Sequence, residues 1–341
     1  MLTSENTKKL LLEMSGLNGV AGFENNAASY AAEFLKQYGE VEITPLNSVI
    51  CTLSQAESGQ PVVMLDAHID EIGLIVSYIN DEGFLKVSNC GGIDRRLLLA
   101  SPVTVHAKDG DLSGVICSIP PHLQSGEGKN PQVEDIFIDI GFGKEQTEKL
   151  VRLGDRVTIN SDSREMLNSL VSGKALDNRA GCVSLMLAAD LLKNKKLNCG
   201  VQICLSSMEE VGGQGAKTAA FKISPTHAIA VDVSFAHTPD APKHKCREMN
   251  KGPMIGIAPI LNAEMSQRLI SLAEQEKIPY QLEVMGGVTG TNADSIACTK
   301  NGVITGLISI PQRYMHTPIE TVSVADVENT ARLIAAYVQA L

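Results

Sequence analysis

The sequence predicts an α/β fold, a sheet covered by helices with a small β domain inserted into it. Four apolar runs, PVVML, VQICLSS, HAIAV and VITGLISIP, have the short, β-branched texture of buried strands. Stretches with helical apolar spacing alternate with them, as a sheet covered by helices requires. Between residues 74 and 164 that rhythm gives way to short β-like pieces broken by turn signals. The expected division is a discontinuous outer domain, residues 1–73 and 165–341, around an insert of residues 74–164.

In chain order, residues 3–15 and 25–38 carry helical spacing, with Asn25 or Asn26 as the cap of the second helix. PVVML, beginning at Pro61, is the first buried strand. The insert reads as LIVSYI, FLKVS, PVTVHA, LSGVICSI, EDIFIDIG and DRVTI, separated by DEG, GG, KDG and the polar loop QSGEGKNP. Helices at 178–193, 263–277 and 324–340 then alternate with the three remaining apolar runs. The pattern carries no internal repeat, and it does not specify strand order.

Composition narrows the function. A length of 341 residues makes two domains the natural expectation, and 44% hydrophobic content suffices for a substantial core. With 39 acidic against 29 basic residues, the net charge is −10 and no basic stripe is present, which argues against nucleic acid and against an anionic membrane surface as partners. The eight cysteines are scattered, several inside apolar runs and none in C-x-x-C pairs, and read as reduced core residues. No apolar run approaches the roughly 20 residues of a membrane span, and MLTSENTKKLLLEM is too interrupted by charge for a secretory segment. The expected address is the cytoplasm.

Each of the four apolar runs delivers a histidine or a carboxylate at or just past its C-terminal end: His68 and Asp70, Glu209 and Glu210, Asp232, and His316. In an open α/β sheet, chemistry sits beyond the carboxyl ends of the strands, so these groups can meet, and together they would make a metal site. His68 and Asp70 are two apart and face the same side of extended backbone, the spacing at which a carboxylate orients a ligand histidine. A lone H-x-D is more often a structural pair. Asp177, in KALDNRAG before the helix at 178, is either that helix's N-cap or a carboxylate able to bridge two cations. Adjacent Glu209 and Glu210 are a solvated strand exit unless the backbone turns, which the following VGGQG permits. H-T-P occurs at both His237 and His316; His316 is favoured because it follows a buried strand, whereas His237, His244 and Cys246 lie in a polar surface segment. His106, His122 and His227 have no acid partners in an equivalent setting.

AHIDEIG, KALDNRAG, SMEEVGGQGA, VDVS, VTGTNADS and RYMHTPIETV, in this order over nearly the full length, resemble the dinuclear-metal aminopeptidases of metallopeptidase family forty-two. That group includes glutamyl, deblocking and tetrahedral aminopeptidases. PPHLQ and EDIFIDIG resemble its small dimerisation domain. The resemblance implies a mixed sheet in a phosphorylase/hydrolase-like peptidase domain and a β-barrel-like insert that mediates dimers, which build into a dodecamer. It also implies two divalent ions per subunit. His68 and Asp232 would bind one and Glu210 and His316 the other, with Asp177 bridging, Glu209 as general base and Asp70 orienting His68. The Asp177–Asn178 peptide would be cis. Asn292 departs from the family pattern, in which many relatives carry Asp, and puts substrate contacts of its loop in question.

Charge counting agrees with these implied roles. Two divalent ions bring +4 and Asp177, Glu210 and Asp232 bring −3, so a hydroxide between the ions makes the shell neutral and deprotonation of water is favoured. Glu209 would take the water proton and return it to the leaving amine. The expected substrates are peptides with a free N-terminus. Mixed nitrogen and oxygen ligands suit zinc or cobalt, and manganese less well. The competing readings are a dinuclear deacylase or carboxypeptidase, an endoglucanase-type glycosidase working through two carboxylates without metal, and a non-catalytic oligomeric binding protein. The glycosidase leaves His68 and His316 unexplained, and the intact ligand types at every matched position count against the binding protein.

Overall fold

The computed structural model describes residues 3–123 and 130–341. Most of the predicted QSGEGKNP loop, residues 124–129, and the glutamine that closes PPHLQ lie outside them. Helix α1 (Ser4–Gly16) is capped by Thr3, whose hydroxyl accepts the Asn6 N–H, and it buries Leu10, Leu11 and Met14. Helix α2 (Asn25–Leu35) is shorter than predicted, and neither Asn25 nor Asn26 caps it. Its N-cap is Glu24, which is fully buried. The Glu24 carboxylate accepts the Gly22 N–H and the Asn47 amide rather than a helical donor. Strands β1 (Glu40–Ile43) and β2 (Val49–Ser54) form an antiparallel hairpin that leads to β3 (Val62–His68).

The next six strands close into an antiparallel barrel of order β4-β5-β8-β7-β6-β9: β4 (Gly73–Ile79), β5 (Leu85–Cys90), β6 (Pro102–Ala107), β7 (Gly110–Ile116), β8 (Ile138–Asp139) and β9 (Arg156–Ile159). Helix α3 (Lys144–Leu150) precedes the last of them. Alternating residues such as Leu74, Val76, Leu85, Val87, Val103, Val105 and Val157 point inward and form a core separate from that of the large sheet. EDIFIDIG supplies only the two residues of β8. Val133–Asp135 is a 3₁₀ turn, and the Asp139 carboxylate takes the Gly141 N–H and ends the strand.

The chain then returns to the large sheet through β10 (Arg164–Met166) and β11 (Leu170–Gly173). There follow α4 (Leu176–Leu192), β12 (Gly200–Ser206), α5 (Gln214–Ile223), β13 (His227–Phe235), β14 (Met254–Ile257), α6 (Ala263–Gln275), β15 (Gln281–Val284), α7 (Asn292–Ala297), β16 (Ile304–Arg313), β17 (Glu320–Ser323) and α8 (Val324–Gln339). The sheet is mixed, with order β1-β2-β12-β3-β13-β16-β17-β11-β10, β14 joining β16 and β15 joining β14. Its parallel centre, β12, β3, β13 and β16, consists of the four apolar runs singled out in the sequence. All four therefore end on the same edge. Helix α4 is buried along almost its whole length and packs against β3, β13, α1 and α8, which explains its weak amphipathicity. No helix among the described residues is long and apolar enough to cross a membrane.

Candidate metal centre

Beyond the carboxyl edge of the parallel strands lies a cavity of about 360 Å³ lined by His68, Asp177, Glu209, Glu210, Asp232 and His316. Asp70 lies directly behind His68. All seven residues selected from the sequence are thus brought together, and His237 is not among them.

His68 ends β3. Its Nδ1 bonds the Asp70 backbone carbonyl (3.2 Å) and lies 3.4 Å from Asp70 Oδ1, while Nε2 points at Asp177 Oδ1 (3.1 Å) and Asp232 Oδ1 (3.7 Å). Asp70 has a second task that its spacing from His68 did not reveal. Its two oxygens accept the backbone N–H groups of Glu209 (3.0 Å) and Glu210 (3.2 Å). One fully buried residue therefore fixes both the imidazole, through its carbonyl and carboxylate, and the turn that carries the paired glutamates. That turn begins at Met208, a non-glycine residue with φ 56°, and Gly212 and Gly213 complete it. Their N–H groups bond the Glu209 and Met208 carbonyls.

Asp177 is not a helix cap. The regular geometry of α4 is broken at Asp177 (ψ 99°) and Asn178 (φ −121°), and the peptide between them is cis. Asn178 does the capping: its side-chain oxygen accepts the Gly181 N–H, and its amide donates to the Val231 carbonyl. Asp177 is left facing the cavity, Oδ1 toward His68 and Oδ2 toward His316 Nε2 (3.3 Å). His316, with φ 60°, also approaches Glu210 Oε1 at 3.5 Å.

Sequence reasoning gave no role to Glu320. This buried carboxylate accepts the backbone N–H of Asp177 with one oxygen and that of His316 with the other, each at 2.9 Å. Its only signal was an acid four residues after His316. Asn292 proves to face away from the cavity. It is buried, and its amide donates to Asp66 Oδ2 and Ser206 Oγ, while Thr289, Gly290 and Thr291 just before it form part of the cavity wall. His106 does have an acid partner: Asp111 lies 2.8 Å from its Nδ1 across the β6–β7 hairpin, on the outer face of the barrel where His106 stacks on Phe23, away from the cavity. The barrel touches the site through the loop after β5, where a Cβ on Gly91 would meet Glu210 and one on Gly92 would meet His316.

The electrostatics show a site rich in negative charge. Burial, reinforced for Glu210 by Asp177, pushes the carboxyls of Glu210 and Asp232 well above the usual range, and burial raises Glu209 as well. Burial acts on Asp177 in the same sense, but hydrogen bonds from His316 and His68 outweigh it and hold that group low. Burial works against the charged form of His68, yet Asp177 and Asp70 raise its pKa well above the ordinary value. The donor atoms of His68, Asp177 and Asp232, and separately those of Asp177, Glu210 and His316, lie within 4.8 Å of one another. Two such groups sharing one carboxylate could each hold a cation, and added positive charge is what the site's own protonation states call for.

A family model for M42 glutamyl aminopeptidases matches residues 47–333. The chain belongs to the M42 aminopeptidase family. It is 34% identical over 340 residues to a putative aminopeptidase of Acetivibrio thermocellus, with 98% of each chain covered. Aminopeptidase APDkam598 from the archaeon Desulfurococcus kamchatkensis superposes with a TM-score of 0.92 at 34% identity, over 99% of this chain and 96% of that one. The TET1 peptidase of Pyrococcus horikoshii, described as able to assemble into a tetrahedron or a large octahedral shell, gives 0.87 at 30% identity, over 98% and 100%. As an M42 member the chain is an enzyme, a metal-dependent aminopeptidase.

Proposed function

We propose that this M42 enzyme removes N-terminal residues from peptides with a free amino terminus, using two divalent cations per subunit. His68 and Asp232 would hold one and Glu210 and His316 the other, with Asp177 contributing to both. The observation that carries this reading is the pair of three-residue groups that share Asp177. Bound there, the ions supply Lewis acidity that polarises the scissile carbonyl and acidifies the attacking water. Glu209, the cavity carboxylate not assigned to a cation, takes the proton of the attacking water and returns it to the departing amine. Asp70 keeps the His68 proton on Nδ1 and so leaves the Nε2 lone pair facing the cavity.

A free α-amine would ligate a cation or pair with Glu209 or Glu210 in the cavity, which an acylated one cannot do in the same way, so an N-acetylated peptide is a poor substrate. Mixed nitrogen and oxygen donors favour zinc or cobalt over manganese. Residues 1–73 and 165–341 form the catalytic domain. Residues 74–164 form the insert through which dimers assemble toward a dodecamer, a reading supported by the barrel's separate core and by the dodecameric PhTET1 structure. The eight free thiols suit a reducing cytoplasm.

The test is hydrolysis of a panel of aminoacyl chromogenic amides, with their N-acetyl counterparts, by metal-free protein reloaded with zinc, cobalt or manganese. Turnover of the free amines alone, restored by metal at two ions per subunit, is expected. Equal turnover of the acetylated set, or full activity in chelator, overturns the reading.

A further inference from the structure

The candidate centre is assembled from two separately braced halves. In one, the Asp70 carboxylate fixes His68, Glu209 and Glu210. In the other, the Glu320 carboxylate fixes Asp177 and His316. The two groups of donors that share Asp177 each draw on both halves, since His68 must meet Asp177 and Glu210 must meet His316, whereas a third group, His68, Glu209 and Glu210, lies within the first half alone. Neither brace sets the distance between the halves.

We infer that Glu71, Lys174 and Arg179 form a buried cross-brace that sets this distance, acting as positioning residues for the proposed pair of metal ions. Glu71 follows Asp70, whereas Lys174 and Arg179 flank Asp177, so every contact between them ties one half to the other. Lys174 Nζ lies 2.7 and 2.8 Å from the two Glu71 oxygens. Arg179 Nε donates at 2.6 Å to the carbonyl of Ile69, the residue between His68 and Asp70. Both cations are also anchored to the end of α1: Lys174 donates to the Leu17 carbonyl, and Arg179 Nη1 donates to those of Met14 and Leu17. Glu71 in turn accepts the Gly19 N–H at 2.8 Å. Arg179 is fully buried and Glu71 nearly so. Three ionic side chains held away from water at fixed lengths resist stretching, because any lengthening uncovers a buried charge.

Gly19 offers a test that removes no charge. A Cβ at that position would lie 2.5 Å from Arg179 Nη2, so Gly19→Ala must displace the guanidinium while every ionic group is kept. The inference rests on the two-ion reading above, and the experiment separates the two. Full-length metal-free wild type, Gly19→Ala, Glu71→Gln and Arg179→Lys are titrated calorimetrically with manganese. The loaded proteins are then compared by electron paramagnetic resonance and by steady-state kinetics, with circular dichroism as the control of fold. Each folded variant is expected to bind manganese at least tenfold more weakly, to show altered coupling between the two ions, and to lose at least tenfold in kcat with KM within threefold of wild type. Variants with wild-type affinity, coupling and kcat overturn the cross-brace, even if their melting temperature falls, because stability alone is not positioning. Should Arg179→Lys fail to fold, Gly19→Ala and Glu71→Gln decide. A wild type that binds fewer than two ions both of manganese and, in a parallel titration, of cobalt overturns the two-ion reading itself, and the cross-brace with it.

Discussion

Inside the barrel, Leu74, Leu85, Val103 and Val157 pack into an apolar core, and on its outer face the buried His106 stacks on Phe23 and has Asp111 and Thr158 at its two ring nitrogens. At the carboxyl edge of the large sheet, five carboxylates crowd two imidazoles, with Asp70, Asp177 and Asp232 buried and several carboxyls driven well above their ordinary pKa. The barrel follows every local rule for a stable β structure. The edge breaks the rule against burying like charges and is held by braces instead: Asp70, Glu320 and the Glu71–Lys174–Arg179 network. Stability and activity should therefore respond to substitution separately in the two regions.

Glu209→Gln gives the sharpest contrast. The amide keeps the shape but cannot take a proton, so kcat is expected to fall by about 10³, roughly 4 kcal/mol of barrier, within the range for general-base removal. Metal content by elemental analysis and the melting temperature should stay at wild-type values. If turnover remains near normal, the base lies elsewhere.

Leu85→Ala is the mirror image. Leu85 is fully buried in the barrel, so the substitution should cost about 2–5 kcal/mol in denaturant unfolding by loss of burial and creation of a cavity. The kcat of the protein that remains folded should not change. A fall in kcat per folded molecule would break the separation between barrel and edge, and the Gly91–Gly92 contact with Glu210 and His316 would be its route.

Glu320→Gln falls between these. Replacing a carboxyl that accepts two backbone N–H groups with an amide that has a single acceptor oxygen leaves a buried N–H unpaired and should cost about 1–3 kcal/mol of unfolding free energy, with a smaller fall in kcat than Glu209→Gln. Zinc affinity should weaken, measured by competition with a chromophoric chelator. Wild-type affinity and rate would mean that Asp177 and His316 hold their places without the brace.

Asp111→Asn should do least. The Asp111 carboxylate is more than half exposed, and an exposed pair contributes about 1 kcal/mol or less, read as a small shift in the unfolding midpoint with no change in kcat. A larger loss would make His106 a structural keystone of the barrel.

How much of this was legible in the sequence varies with burial. The four central strands were readable because a parallel strand covered on both faces needs an unbroken run of apolar side chains. The edge strands β1, β10 and β15 were not, since their exposed or alternating residues leave no such signature. The α2 cap was misread because two asparagines stood at the right place while a buried glutamate took the position.

By itself the sequence determined which chemical groups end the four buried strands, because strand character is written in local side-chain texture and the acid or histidine follows within a few residues. It also determined that the barrel stands apart from the sheet, through its change of period and its turn signals. Only the tertiary structure decided that β12, β3, β13 and β16 lie side by side, that Asn178 frees Asp177 from capping, and that Met208 begins the turn presenting both glutamates. It alone revealed the second task of Asp70 and the roles of Glu320, Glu71, Lys174 and Arg179. These partners are separated by about 100 residues or more, or, for Glu320 and His316, join side chain to backbone. Such contacts depend on register and packing across the whole sheet, which no local pattern encodes.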